Sequence, residues 1–251
     1  MDSQRLSRIF HVVQHLAAHG PGTVTEIAAA LDAPLSSTHD LLKAMVDARL
    51  LHLTDRRYGI GPLAIRSAMA VMDSIAVNRL ARRHLEALVE AIGFDVYLAT
   101  SSGSRVIYVS RFAGRQRVNL DLELGRSLLL HSTAVGKLFA AFDRNVYQAM
   151  MAKPRPAITS TTLTSPAELD RDLASIRQKR FSVSRGESIR GIVGLATPVF
   201  GPDGALAAAV HVSALRTALP AKHLTSVVRR MTATSRAIEN DLAEPADTVS
   251  A

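Results

Sequence analysis

Ser36, Ser37, His39 and Lys43 fall on one flank of a helical repeat whose other flank carries Thr38, Leu41, Leu42, Met45 and Val46. Hydroxyls, an imidazole and an ammonium on the free face of a short helix suit hydrogen bonding to base edges and phosphates. Helix capping and plain solvation are the alternative for the serine pair. Arg56 and Arg57 follow at the tip of an expected hairpin, where cations reach backbone phosphates. Gly136-Lys137 ends like a phosphate loop, but His131 and Leu138 stand where that motif needs a glycine and a hydroxyl, so no nucleotide site is expected. His11, His15 and His19 recur every four residues opposite an apolar stripe. Zinc asks for four ligands, and no cysteine or acidic partner stands at ligand spacing, so these histidines read as solvated and no metal is assigned. No Gly-x-Ser-x-Gly elbow, HExxH pair or paired-carboxylate arrangement occurs, so no catalytic residue and no cofactor are assigned. A triad converging from distant positions stays open.

The elements that must hold these residues follow from periodicity and punctuation. Leu6, Ile9, Phe10, Val13, Leu16 and Ala17 predict a helix over 3–18, broken by Gly20-Pro21-Gly22. Thr23 and Glu26 have capping-box spacing before a short second helix. Pro34 suits the first turn of the third. Residues 50–53 and 58–60 read as strands around Thr54-Asp55-Arg56-Arg57. Three helices and a hairpin make a winged helix-turn-helix over residues 1–62. Ile65, Met69, Met72 and Ala76 then mark a linker helix over 63–77, which either dimerises through that seam or packs on its own domain.

From residue 78 to 242 the pattern is mixed. A helix over 78–92 stops at Gly93, and strands are expected over 95–100, 105–110 and 118–124. Ser165-Pro166-Ala167-Glu168 combines an N-cap, a first-turn proline and a capping-box glutamate for a helix to residue 180. Extended structure resumes over 181–184, strands 192–200 and 205–213 flank Gly201-Pro202-Asp203-Gly204, and a last helix spans 220–242. Residues 243–251 read as a disordered tail. The class is α+β.

Composition limits the rest. In 251 residues, 47% hydrophobic content suffices for two modest cores. No apolar run spans a membrane and no secretory signal opens the chain, so a cytoplasmic location and no membrane partner are expected. The net charge of +8 does not come from the head: residues 1–63 hold six Lys/Arg against six Asp/Glu, and the remainder 24 against 16. A DNA assignment therefore rests on motif and geometry, since global basicity says nothing about this head.

The string Gly125-Arg126-Ser127-Leu128-Leu129-Leu130-His131-Ser132-Thr133-Ala134-Val135-Gly136-Lys137 resembles a signature of the IclR family of transcription regulators. Arg83-His84-Leu85-Glu86-Ala87-Leu88, Val106-Ile107-Tyr108-Val109 and Gly194-Leu195-Ala196-Thr197-Pro198-Val199-Phe200 match in order, so the resemblance covers almost the whole chain. It implies a homodimer or dimer of dimers on double-stranded operator DNA, with a GAF-like, antiparallel-sheet domain whose small-molecule effector modulates binding. The family pattern carries a lysine at Leu35 and an arginine at Asp40, so two cations are missing here. A stand-alone sensor with a weakened DNA head is therefore an alternative, and an enzyme on the sensor fold a lesser one.

The resemblance also places an effector cavity between the loop at 132–136, the stretch 183–194 and the last hairpin strand. Relatives that bind small keto-acids carry an aspartate near Ser184 or Arg185 and serines at His211 and Ser213, so an acid is here exchanged for a base. A carboxylate effector fits that exchange. Arg185 would clamp it, His211 and Ser213 would donate to it, and the amides of Ala134 and Val135 would favour its charge. A solvated Arg185 is the alternative, given Gly186 and Ser188 beside it.

Overall fold

The computed structural model describes residues 3–116, 122 and 124–244. The chain divides into two compact units, Met1–Ser74 and Ile75–Ala251. In the first, α1 (Ser3–His19), α2 (Val24–Ala30) and α3 (Leu35–Asp47) precede β1 (Leu51–Thr54), β2 (Arg57–Ile60) and α4 (Pro62–Ser74). Val12, Leu16, Ile27, Leu42, Met45, Leu51 and Tyr58 close one core beneath the three helices and the hairpin. The α2 capping box forms: the Glu26 amide donates to Thr23 Oγ1 at 3.3 Å and the Thr23 amide to Glu26 Oε2 at 2.7 Å. Pro34 is the N-cap of α3 rather than its first helical residue, and its carbonyl accepts from the Ser37 and Thr38 hydroxyls.

Thr54 stands opposite Arg57, so the wing turns on only two residues, Asp55 and Arg56, with φ of 50° and 62°. Positive φ at both positions is what a tight right-twisted hairpin requires. Two expectations change around the linker. The helix there ends at Ser74, and Ala76 belongs to α5 (Ala76–Ile92), so the expected seam does not run along one helix. Ile65 and Met69 on α4 are exposed.

The second unit carries α5, β3 (Asp95–Ser102), β4 (Arg105–Phe112), α6 (Ala134–Phe142), α7 (Arg144–Ala152), α8 (Pro166–Lys179), β5 (Ser182–Arg185), β6 (Ile192–Phe200), β7 (Leu206–Leu215) and α9 (Ala221–Ala243). One antiparallel sheet, ordered β4-β3-β7-β6-β5, forms its centre. Alternation assigns the faces. Tyr97, Ala196 and Ala209 join α6, α7 and α8 in a core. The adjacent Thr197 turns the other way, where its hydroxyl meets Ser235 of α9 at 2.8 Å. Helices α5 and α9 pack together on that second side.

The helix expected over 165–180 is present as α8, but the Ser165 side chain makes no capping bond; Pro166 at the first position and Glu168 in the first turn start it. The strand expected over 118–124 falls mostly on 118–121 and 123, outside the described residues, as do residues 245–251 of the expected tail.

Candidate functional sites

On the first unit, Ser36, Ser37, His39 and Lys43 are all exposed on α3. Their neighbours on the buried face, Thr38, Leu41, Leu42 and Met45, fix the helix's rotation and so turn that polar flank outward. Ser37 is already bonded within its own helix start, and His39 Nδ1 lies 3.9 Å from the Asp40 carboxylate. A depression of about 450 Å3 between α1 and α3 brings Arg5 and Arg8 beside Ser37 and Asp40. Those two arginines escaped sequence reasoning because they sit on α1 among its apolar positions. They restore positive charge beside the face from which Leu35 and Asp40 remove it.

The wing arginines separate. Arg56 is exposed at the turn and makes no hydrogen bond or ion pair among the described residues. Arg57 folds back instead: its Nε and Nη2 donate to the Pro21 carbonyl at 3.0 and 2.6 Å, and Nη2 reaches Glu26 at 3.3 Å. That geometry corrects the expectation that both serve DNA equally. Arg57 staples the wing to the turn before α2, and the same Glu26 caps that helix. Of the α1 histidines, His15 and His19 stack at 4.6 Å, and no group of metal-ligating side chains occurs among the described residues.

In the second unit a cavity of about 50 Å3 lies where the start of α6 meets β5, β6 and β7. Ala134, His211 and Ser213 line it together with Tyr108, Thr133, Ser184, Ser188 and Ile189. Three of the five expected effector residues thus converge. Val135 is fully buried in the helical core behind the wall. Arg185 is a correction: β5 extends through it, Ser184 takes the inward position, and the next side chain emerges exposed on the other face. No Lys or Arg side chain lines the cavity among the described residues.

His211 is buried against the rings of Tyr97 and Tyr108, and that loss of hydration depresses its imidazole to about 3 and keeps it neutral. Tyr108 Oη lies 2.9 Å from Nδ1, and burial pushes that phenol far up, so it stays protonated. The neutral ring carries one proton: where Tyr108 donates to Nδ1 it sits on Nε2, and where Nδ1–H donates to the phenol the free acceptor is Nε2. That nitrogen lies 3.2 Å from where a Cβ on Gly194 would stand, so glycine leaves the ring its room. The exchange of acid for base therefore supplies a neutral imidazole and no positive charge.

Around the ring are small hydroxyls. Ser184 and Ser188 donate to the Ser132 carbonyl at 2.9 and 3.2 Å, while the buried Ser132 Oγ has no partner among the described residues. Thr133 caps α6 by accepting from the Gly136 amide at 3.0 Å. The amides of Ala134 and Val135 make no such bond among the described residues and lie at the positive end of the helix. Gly136 is required by close packing, since a Cβ there would stand 2.5 Å from the Leu130 backbone. Tyr108 and Ser188 escaped selection as site residues; only the pairing of β3 with both β4 and β7 brings Tyr108 to His211, 103 residues away.

A winged helix-turn-helix joined in sequence to a sheet domain with a small polar cavity defines a class, the ligand-responsive DNA-binding regulators. The model for the bacterial transcriptional regulator IclR C-terminal domain matches residues 69–240, and that for the IclR helix-turn-helix domain matches residues 5–54. The chain belongs to the IclR family of transcriptional regulators. The probable transcriptional regulator SauR of Cupriavidus necator is 30% identical over 212 residues, covering 82% of this chain and 83% of that protein. The IclR structure of Thermotoga maritima superposes with a TM-score of 0.82 at 22% identity, over 96% of this chain and 98% of that one. An IclR homologue of Microbacterium hydrocarbonoxydans, solved in complex with 4-hydroxybenzoate, gives 0.82 at 21% identity, over 95% and 98%. No helix among the described residues is long and apolar enough to cross a membrane.

Proposed function

We propose that a small organic acid binds the cavity at the start of α6 and modulates binding of the winged head to double-stranded operator DNA. The observation that carries this reading is the convergence of the Tyr108–His211 pair, the Ser213 hydroxyl and Ala134 at the start of α6 on one cavity. Neutral donors and a helix start favour an anion without a paired cation. That a relative was solved with 4-hydroxybenzoate, a carboxylate, supports the same class of ligand.

DNA contact is assigned to Ser36, Ser37, His39, Lys43 and Arg56, with Arg5 and Arg8 added from α1. The exposed Ile65 and Met69 of α4 support a homodimer, itself able to pair into a tetramer. We assign no catalysis to the cavity: its histidine is neutral and hydrogen-bonded to a phenol rather than to a nucleophile poised beside a base. A sensor with a weak DNA head is the second reading, favoured by the exposed Asp40 on the groove face and the engagement of Arg57 within the head.

Electrophoretic retardation of the DNA upstream of the chain's own reading frame tests the first reading. A specific complex whose midpoint moves with an added carboxylate, and not with its amide, is the expected result. No specific complex at low salt would favour the second reading. Sedimentation of the full chain against one lacking residues 63–77 tests the dimer: equal self-association would remove α4 from the interface.

A further inference from the structure

Lys137 stands in the sequence motif that reads as a failed phosphate loop, and the structure gives it a different task. Its side chain is 1% exposed, and its Nζ lies 2.8 Å from both carboxylate oxygens of Glu187, 2.9 Å from Asp172 Oδ2 and 3.2 Å from the Val183 carbonyl. An ammonium so far from water persists only because these oxygens replace its hydration. Three segments therefore meet at one atom: α8 through Asp172, β5 through Val183, and the β5–β6 connection through Glu187.

Two of the tethered pieces are cavity walls. Lys137 lies one turn into α6, whose first residue, Ala134, faces the cavity; Glu187 immediately precedes Ser188 and Ile189, which also face it. Gly186 and Gly191, with φ of 75° and 80°, bracket that connection. Its near end is pinned separately, since the Thr159 and Thr162 hydroxyls donate to the Gly186 and Glu187 carbonyls at 2.7 and 2.6 Å. Beyond it, Ser188 has one hydroxyl bond, to the Ser132 carbonyl. Apolar replacement of a buried ion pair is often neutral or stabilising, so stability alone does not account for this one. What an ion pair adds over apolar contact is a fixed distance and direction.

We propose that the Lys137–Glu187 pair is a positioning unit that fixes the Ser188–Ile189 wall against the start of α6 and so sets which ligand the cavity accepts. This rests on the effector reading above. Asp172 touches the same ammonium but brings no wall with it, and that asymmetry supplies the test. In the full chain, Lys137→Met, Glu187→Leu and the double variant would be compared with Asp172→Asn and with Lys137→Arg, which keeps the charge.

One arm needs no ligand: amide hydrogen exchange at Gly186 and Ile192, which close the connection by donating to the Ile192 and Ile189 carbonyls at 2.8 and 3.2 Å, with the amides of residues 194–199 in β6 as the internal reference. Lys137→Met and Glu187→Leu should each speed exchange at Gly186 and Ile192 about tenfold relative to that reference, the double variant no further, and Asp172→Asn less than twofold. Lys137→Arg should restore most of the protection. The other arm is calorimetric titration with sodium pyruvate and sodium benzoate, where affinity for whichever acid the wild type binds should fall about tenfold in the same variants and hold in Asp172→Asn. If a single variant does not fold, the double variant, which pairs two apolar side chains, carries the comparison. Unchanged exchange at Gly186 and Ile192 in a folded Lys137→Met or double variant overturns the proposal, as does Asp172→Asn matching Glu187→Leu. A wild type that binds neither acid counts against the carboxylate reading, while the exchange arm still decides the positioning role.

Discussion

The two candidate sites are built on opposite principles. On the head, Ser36, His39, Lys43 and Arg56 stand exposed, so the helix and turn aim them while the groove of a duplex has yet to satisfy them. In the second unit the corresponding groups are buried and engaged with one another: Tyr108 with His211, Ser184 and Ser188 with Ser132, Lys137 with Glu187. A polyanion read in water needs cations free to exchange small counterions for phosphate. A small ligand held away from water needs donors whose directions are set beforehand, because each misplaced one remains unpaired. Substitutions of the free groups on the head should therefore act on affinity and salt dependence, and those of engaged groups on folding as well.

The largest effect expected is from Gly136→Val. Its Cβ would stand 2.5 Å from backbone atoms of Leu130, so the loop and α6 cannot both keep their places. A loss of about 3 kcal/mol in urea denaturation is expected, and near-wild-type stability would show that the sensor wall is soft.

His211→Leu comes next. It leaves the buried Tyr108 hydroxyl without its partner and should cost about 1–3 kcal/mol. It should also change the pH profile. An unfolded histidine takes up its proton near pH 6.5, whereas the buried ring resists to about 3. Wild-type stability is therefore lost as the pH falls through that window, and the leucine variant should lack this part of the slope. Identical profiles would mean that the ring is solvated.

The wing arginines test the head from within. Arg56→Ala should lower the salt dependence of DNA binding by about 0.9 in log–log slope, one phosphate contact. Arg57→Ala should leave the slope alone and cost about 1 kcal/mol of head stability, because it loses the Pro21 carbonyl and Glu26 instead. Equal slopes for the two would place both on the phosphates. The smallest effect belongs to Arg185→Ala. With the side chain outside the cavity, ligand affinity should change less than twofold by calorimetry. A clamp on the effector carboxylate would instead cost ten- to a hundredfold.

Where the signal was local, the sequence was enough. The Thr23–Glu26 box, the αL stop at Gly93 and the turn at Gly201-Pro202-Asp203-Gly204 each lie within a few residues of the structure they specify. Arg185 shows how a local reading fails by one residue: with β5 ending at Ser184 it looks like part of a loop, but one more residue of strand sends its side chain to the opposite face. Arg57 fails at longer range, its partner carbonyl being 36 residues back. Tyr108 and Glu187 become site residues only through sheet order and an ammonium 50 residues away, which no periodicity records. The outward placement of Ser36, Ser37, His39 and Lys43 was the more legible because exposure and helical phase are both local properties.

The two-residue turn at Asp55 and Arg56 carries a consequence for anyone engineering the head. Both residues hold positive φ without being glycine, and an arginine there is conformationally costly by about 1 kcal/mol. Arg56→Gly would relax the turn and offset part of that cost, yet it would remove the cation at the tip of the wing. Thermal selection on this protein would therefore favour a substitution that removes the cation proposed to meet phosphate, so a stabilised head should be checked for operator affinity before it is called improved.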